Sequence, residues 1–215
     1  MDAHQDLDKG KLLRFHTLFA ASQVTGLLSL LLTVVWTSKY LGGYGFSDPS
    51  VEFNFHPPFM ILSLVYLSGN SILIYRFLRQ KPKPLLKWIH SIIHGSNVIL
   101  VSFALFAVID FHNRKAIANF YSLHSWLGIG VSVIYFLQAV GSFAIFMKPG
   151  ATDGIRKIAF PLHVYGGSAL FFLAVGMWTS LPKHDSPSQL IIHLLSFLSS
   201  YMLDRFHGEN SFYWR

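Results

Sequence analysis

Residues 122–147 read SLHSWLGIGVSVIYFLQAVGSFAIFM. The stretch holds no Asp, Glu, Lys or Arg. As a helix it is long enough to cross ~30 Å of hydrocarbon, which needs ~20 residues. Yet His124 stands near its start. Crossing a bilayer does not require an imidazole. Ionisable side chains in such a segment are costly and mark functional sites by default.

The stretch has company. Apolar segments also run over residues 15–37, 55–78, 86–109, 160–181 and 188–203. The chain of 215 residues is 52% hydrophobic and only 13% charged, against about 25% charged in a soluble domain. These features predict an all-α polytopic membrane protein, one domain over residues 1–215, built as a bundle of six transmembrane helices. The last segment is short and carries His193. The first is too long for a signal-peptide core and is not followed by a clear cleavage site, so it is expected to be retained.

Cysteine is absent. That excludes disulfides, iron–sulfur clusters, thiolate zinc sites and covalent c-type haem. The net charge of +7 comes without a nucleic-acid recognition motif and reads as cytoplasmic loop charge in a bilayer protein. Lys9, Lys11 and Arg14, the group Arg76, Arg79, Lys81, Lys83 and Lys87, and the group Lys148, Arg156 and Lys157 fall on one side of the predicted bundle. Lys39, Arg114, Lys115 and Lys183 fall on the other. The positive-inside rule then puts both termini in the cytosol, with six spans.

With that topology the histidines sort by depth. His56 and His124 open the second and fourth segments, both running inward from the non-cytoplasmic face. His90 and His163 lie near the starts of the third and fifth, both running outward from the cytoplasm. Two pairs result, one at each membrane face. Zinc usually takes a third and fourth protein ligand. Haem iron takes two axial ligands from opposite faces, which suits two imidazoles facing each other across a bundle. Gly69, Gly95, Gly128, Gly141, Gly166 and Gly167 can admit a flat macrocycle or serve close helix packing.

At these residues the chain resembles the cytochrome b-561 family. The shared signatures are Phe53-Asn54-Phe55-His56-Pro57, Tyr75-Arg76, Lys87 three residues before His90, Tyr121 to Trp126, and Pro161-Leu162-His163. They cover residues 51–178, the expected di-haem core formed by helices 2–5. The resemblance implies two non-covalent b-type haems. His56 and His124 would hold the non-cytoplasmic one, and His90 and His163 the cytoplasmic one. It further implies electron transfer from cytosolic ascorbate to monodehydroascorbate or a ferric chelate, a vesicle, lysosomal, vacuolar or plasma membrane, and a homodimer. The short link at residues 180–189 and the short sixth segment depart from the family pattern.

Ascorbate is an anion. Lys83, Lys87 and Arg156 lie seven, three and seven residues before a paired histidine, so helices that begin early enough turn all three toward one haem edge. Basic residues at similar positions contact ascorbate in the family. On the far side, the stretch DFHNRKAIANFYS is expected to join helices 3 and 4. It supplies His112, Asn119 and Tyr121 as candidates for the outer substrate, with His112 as a proton relay. His94, one turn after His90, is the rival ligand. Two other functions remain open at this point: a haem-bearing anchor subunit of a quinone-linked complex, and a histidine-lined metal transporter, which would want acidic residues along its path.

Overall fold

The computed structural model describes residues 3–147 and 151–179. They form five long helical rods: α1 (Ala3–Tyr40), α2 (Pro49–Phe77), α3 (Lys83–Arg114), α4 (Leu123–Phe146) and α5 (Asp153–Thr179). Each is long and apolar enough to cross a bilayer. The chain is thus an all-α polytopic membrane protein with five candidate spans. The predicted sixth helix, residues 188–203, lies outside the described residues, as do His184, His193 and His207.

Most rods begin earlier than hydropathy alone predicts. α2 starts at Pro49 rather than residue 55, α3 at Lys83 rather than 86, and α5 at Asp153 rather than 160. Hydropathy marks what can sit in lipid, whereas a helix continues until its backbone is capped. Asp48 caps α2 by accepting a hydrogen bond from the Ser50 amide at 2.8 Å, with Pro49 as first helical residue. That bond holds the Asp48 carboxyl below its ordinary 3.8. Ser122 caps α4 in the same way, accepting from the Ser125 amide at 3.2 Å. His56 and His163 are therefore about two turns or more inside their helices. His112 belongs to α3, so the expected α3–α4 loop shrinks to residues 115–122.

The rods bury small and polar side chains and turn large apolar ones outward. Ser29, Thr33, Thr37, Asn54, Ser63, Ser71, Asn97 and Ser132 are buried, while Leu31, Ile92, Ile99, Leu137 and Val140 are exposed. Between helices in lipid there is little hydrophobic gain, so close packing and internal hydrogen bonds take over. Ser29, Thr33 and Thr37 each donate to the carbonyl four residues back, which satisfies their hydroxyls inside the helix.

α1 leans on α2 through a polar cluster. Gln23 donates to Asn70 Oδ1 at 2.8 Å and accepts from Tyr66 Oη at 2.9 Å, and Asn70 donates to the Tyr66 carbonyl at 2.8 Å. A Cβ on Gly26 would stand 2.6 Å from the Tyr66 ring, so only glycine fits there. Further along the bundle, α2 packs along α3 and α4 along α5.

α2 is not a uniform helix. Ile61–Leu67 is a π-helical stretch in which the Ser68 amide reaches back five residues to the Ser63 carbonyl. The Ser68 hydroxyl donates to the same carbonyl at 3.0 Å. Such insertions are rare and reset which face the next turn presents. Here the reset lies between His56 and Ser71, which serve opposite ends of the bundle.

Candidate haem and substrate sites

The depth matching predicted from sequence is realised as ring contact. His56 on α2 and His124 on α4 have ring centroids 6.4 Å apart with planes at 81°. His90 on α3 and His163 on α5 stand 5.9 Å apart at 76°. The first pair meets α3 at Ala104, fourteen residues beyond His90. The two pairs are thus about 21 Å apart along α3, at a rise of 1.5 Å per residue.

Each pair is held from behind. The Nδ1–H of His56 donates to the Ala104 carbonyl at 3.1 Å. The Nδ1–H of His90 donates to the Ser71 carbonyl at 3.1 Å, with the Ser71 hydroxyl at 2.8 Å. His163 Nδ1 lies 2.8 Å from the Ser142 hydroxyl. Gln138 donates to the His163 carbonyl at 2.9 Å. His124 differs: its Nδ1 is buried and has no hydrogen-bond partner among the described residues. Aromatic rings wall the pairs, with Phe53 6.0 Å from His56, Tyr75 5.5 Å from His90 and Phe146 5.6 Å from His163.

These residues fit haem. With a metal–imidazole bond of about 2 Å, two rings on opposite sides of one iron have centroids ~6 Å apart, the spacing of both pairs. An Nδ1–H held by a carbonyl leaves Nε2 as the free lone pair, as in ligating imidazoles generally. No group of three or more His, Asp or Glu among the described residues can hold a bare metal ion. The donors come in twos, which suits a cofactor that brings its own four ring nitrogens.

His94 stands 4.5 Å from the His90 ring, and its Nδ1 lies 2.6 Å from the Tyr135 hydroxyl. It is a neighbour of the pair on α3's own face. The glycines divide. A Cβ on Gly69 would meet Phe171 at 3.4 Å, on Gly128 Met177 at 3.2 Å, and on Gly166 or Gly167 the Gln138 amide at 3.0 Å. These four serve helix packing. Gly95 and Gly141 face open space within 4 Å.

Lys83 and Lys87 occupy the first two turns of α3 and are exposed, on the stripe that leads to His90 and His94. Arg156 lies in the first turn of α5, 3.8 Å from Asp153 Oδ1. The early helix starts thus put all three cations on helical backbone, as their spacing requires. At the other end the His112 and Tyr121 rings are 5.9 Å apart. Asn119, in the loop with Tyr121, donates to Asn113 Oδ1 at 2.9 Å. Ala116 and Phe120 adopt φ of 55° and 57°, a left-handed conformation uncommon outside glycine; at Ala116 it ends α3, with the Ile117 amide donating to the His112 carbonyl at 2.9 Å.

Sequence reading missed one charged group. Glu52 is 2% exposed and accepts from Arg114 Nη1 at 2.8 Å. Arg114 also donates to the Phe46 and Ser47 carbonyls and approaches Asp110 at 3.5 Å. Starting the second helix at residue 55 had left Glu52 outside it. Glu52 thus joins Asp110 where the start of α2 meets the end of α3. Arg114 ties them to the α1–α2 loop.

Helical membrane rods that pair imidazoles across the bundle at two levels define the class of membrane cytochromes. The chain belongs to the eukaryotic cytochrome b561 family, whose pattern it matches over residues 55–181. Haem is thus the cofactor its paired histidines are suited to hold. It is similar to the transmembrane ascorbate-dependent reductase CYB561 of Homo sapiens, with 38% identity over 157 residues, 73% of this chain and 62% of the relative. The protein of the same name from Sus scrofa is 39% identical over 157 residues, with the same coverage. The plasma membrane ascorbate-dependent reductase CYBRD1 of Xenopus tropicalis is 36% identical over 159 residues, 73% of this chain and 56% of the relative. The chain thus spans less than two thirds of the length of these relatives.

Proposed function

We propose that this protein carries electrons across a membrane from cytosolic ascorbate, through two b-type haems, to an acceptor on the opposite side. The observation that carries the reading is the pair of histidine pairs, each at the spacing of two rings on one iron. When bound, haem supplies a centre that takes up and gives back one electron at a time. The protein's share is ligation, positioning and charge.

His90 and His163 hold the cytoplasmic haem in this reading, and His56 and His124 the other. Held by two imidazoles each, the haems would supply one-electron transfer rather than oxygen binding. Lys83, Lys87 and Arg156 draw in the ascorbate anion. Loss of one electron makes ascorbate's remaining proton acidic, and water at this exposed helix end takes it. At the far end His112, Asn119 and Tyr121 bind monodehydroascorbate or a ferric chelate. A monodehydroascorbate radical anion that gains one electron also takes up one proton, which His112 passes on. The names of the relatives support ascorbate as donor. The cation-rich loops support cytosolic termini with six spans, and a homodimer follows from the family resemblance.

The test is a reduced-minus-oxidised absorption spectrum of the purified protein, recorded with dithionite and again with ascorbate. Haem bands that ascorbate develops to a large share of the dithionite signal are expected. Haem that dithionite reduces and ascorbate leaves oxidised would sink the donor assignment.

A further inference from the structure

We propose that Ser71 and Ser142 orient the imidazoles of the His90–His163 pair, with Ser142 the decisive one. The inference rests on the haem reading above and goes beyond it, to the residues that set ligand tautomer and basicity.

Serines in these helices usually turn back on their own backbone. Ser63, Ser132 and Ser168 each donate to the carbonyl four residues earlier. Ser71 and Ser142 instead reach across to another helix. Ser71 on α2 meets His90 on α3 at 2.8 Å, and Ser142 on α4 meets His163 on α5 at 2.8 Å. One pair of facing imidazoles is therefore backed by a hydroxyl on each side. The His56–His124 pair has no such device: a backbone carbonyl holds one ring, and the Nδ1 of the other has no partner among the described residues.

The two serines are not equivalent. His90 Nδ1 also has the Ser71 carbonyl at 3.1 Å, and a carbonyl can only accept, so His90 keeps its Nδ1–H bond when the hydroxyl is removed. The other neighbour of His163 Nδ1 is the Gln138 amide nitrogen at 3.5 Å, a donor, which cannot take the proton. Gln138 is itself committed to the His163 carbonyl, wedged where Gly166 and Gly167 leave room for it. Removing the Ser142 hydroxyl leaves His163 Nδ1–H without an acceptor among the described residues. Loss of such a bond lowers ligand basicity and loosens ring orientation, typically at about 10–100-fold in affinity.

The experiment titrates haem b into the full-length apoprotein in detergent and then measures the midpoint potential of each site. Ser142→Ala is expected to weaken one of two sites on the order of 10–100-fold and to move that site's potential to more positive values. The other site stays as in the unaltered protein and reports correct folding. Ser71→Ala should do the same to a smaller degree, and Ser142→Thr, which keeps the hydroxyl, should restore binding and potential. If Ser142→Ala matches the unaltered protein while His163→Ala loses one haem, the serine proposal is overturned. It is equally overturned if Ser142→Thr behaves like Ser142→Ala. If His163→Ala keeps two haems, it is the haem reading that fails.

Discussion

His90 and His163 come from helices that begin seventy residues apart, at Lys83 and Asp153, yet their rings face each other at 5.9 Å and 76°. Nothing in either helix alone demands an imidazole there. Rings that face each other at this spacing could hold one group between them, and the His56–His124 pair repeats the arrangement at the other end.

The cations at the start of α3 should act on donor binding and little else. Exposed charges contribute about 0–1 kcal/mol each, so Lys83→Ala or Lys87→Ala should raise KM for ascorbate by up to about five-fold. The rate at saturation should change little. Because the effect is electrostatic, raising the salt concentration should shrink the difference. Steady-state reduction at low and high salt reads both. A drop in maximal rate at unchanged KM would place the lysines elsewhere in the cycle.

Arg114→Ala should destabilise the protein far more than Lys115→Ala. It leaves the buried Glu52 carboxylate without its partner at 2.8 Å, a loss on the order of 3 kcal/mol. It also frees the α1–α2 loop from its anchor at Phe46 and Ser47. Pairing the change with Glu52→Gln should recover part of the loss, because the unpaired charge is then gone. Thermal unfolding followed by circular dichroism measures this, and equal melting of the two single variants would contradict it.

Gly26→Ala places a Cβ 2.6 Å from the Tyr66 ring. That ring cannot swing aside without breaking its hydrogen bond to Gln23. A cost of about 1–3 kcal/mol is expected from such overpacking, seen as a lowered melting temperature. Gly10→Ala, where nothing lies within 4 Å, serves as the neutral comparison.

Five rods and two histidine pairs were legible before any coordinates. Apolar runs of spanning length announce helices, and the direction of each run assigns His56, His90, His124 and His163 to an end. Other features were hidden for physical reasons. Glu52 lies in a turn that hydropathy assigns to water, although Arg114 makes its burial possible. His112 lies in a polar tail of α3 that reads as loop because hydropathy falls after residue 109, although the helix runs on to Arg114. The orienting role of Ser71 and Ser142 is invisible in sequence, because a serine in a membrane helix by default bonds its own backbone. The π-helical stretch at Ile61–Leu67 has no breaker to betray it.

The central claim is that each histidine pair holds one haem. Haem-to-protein stoichiometry measured on the unaltered protein, on His124→Ala and on His90→Ala tests it most directly. Two haems per chain are predicted for the first and one for each variant, with the surviving haem differing between them in spectrum or potential. A full complement of two haems in either variant would contradict the account.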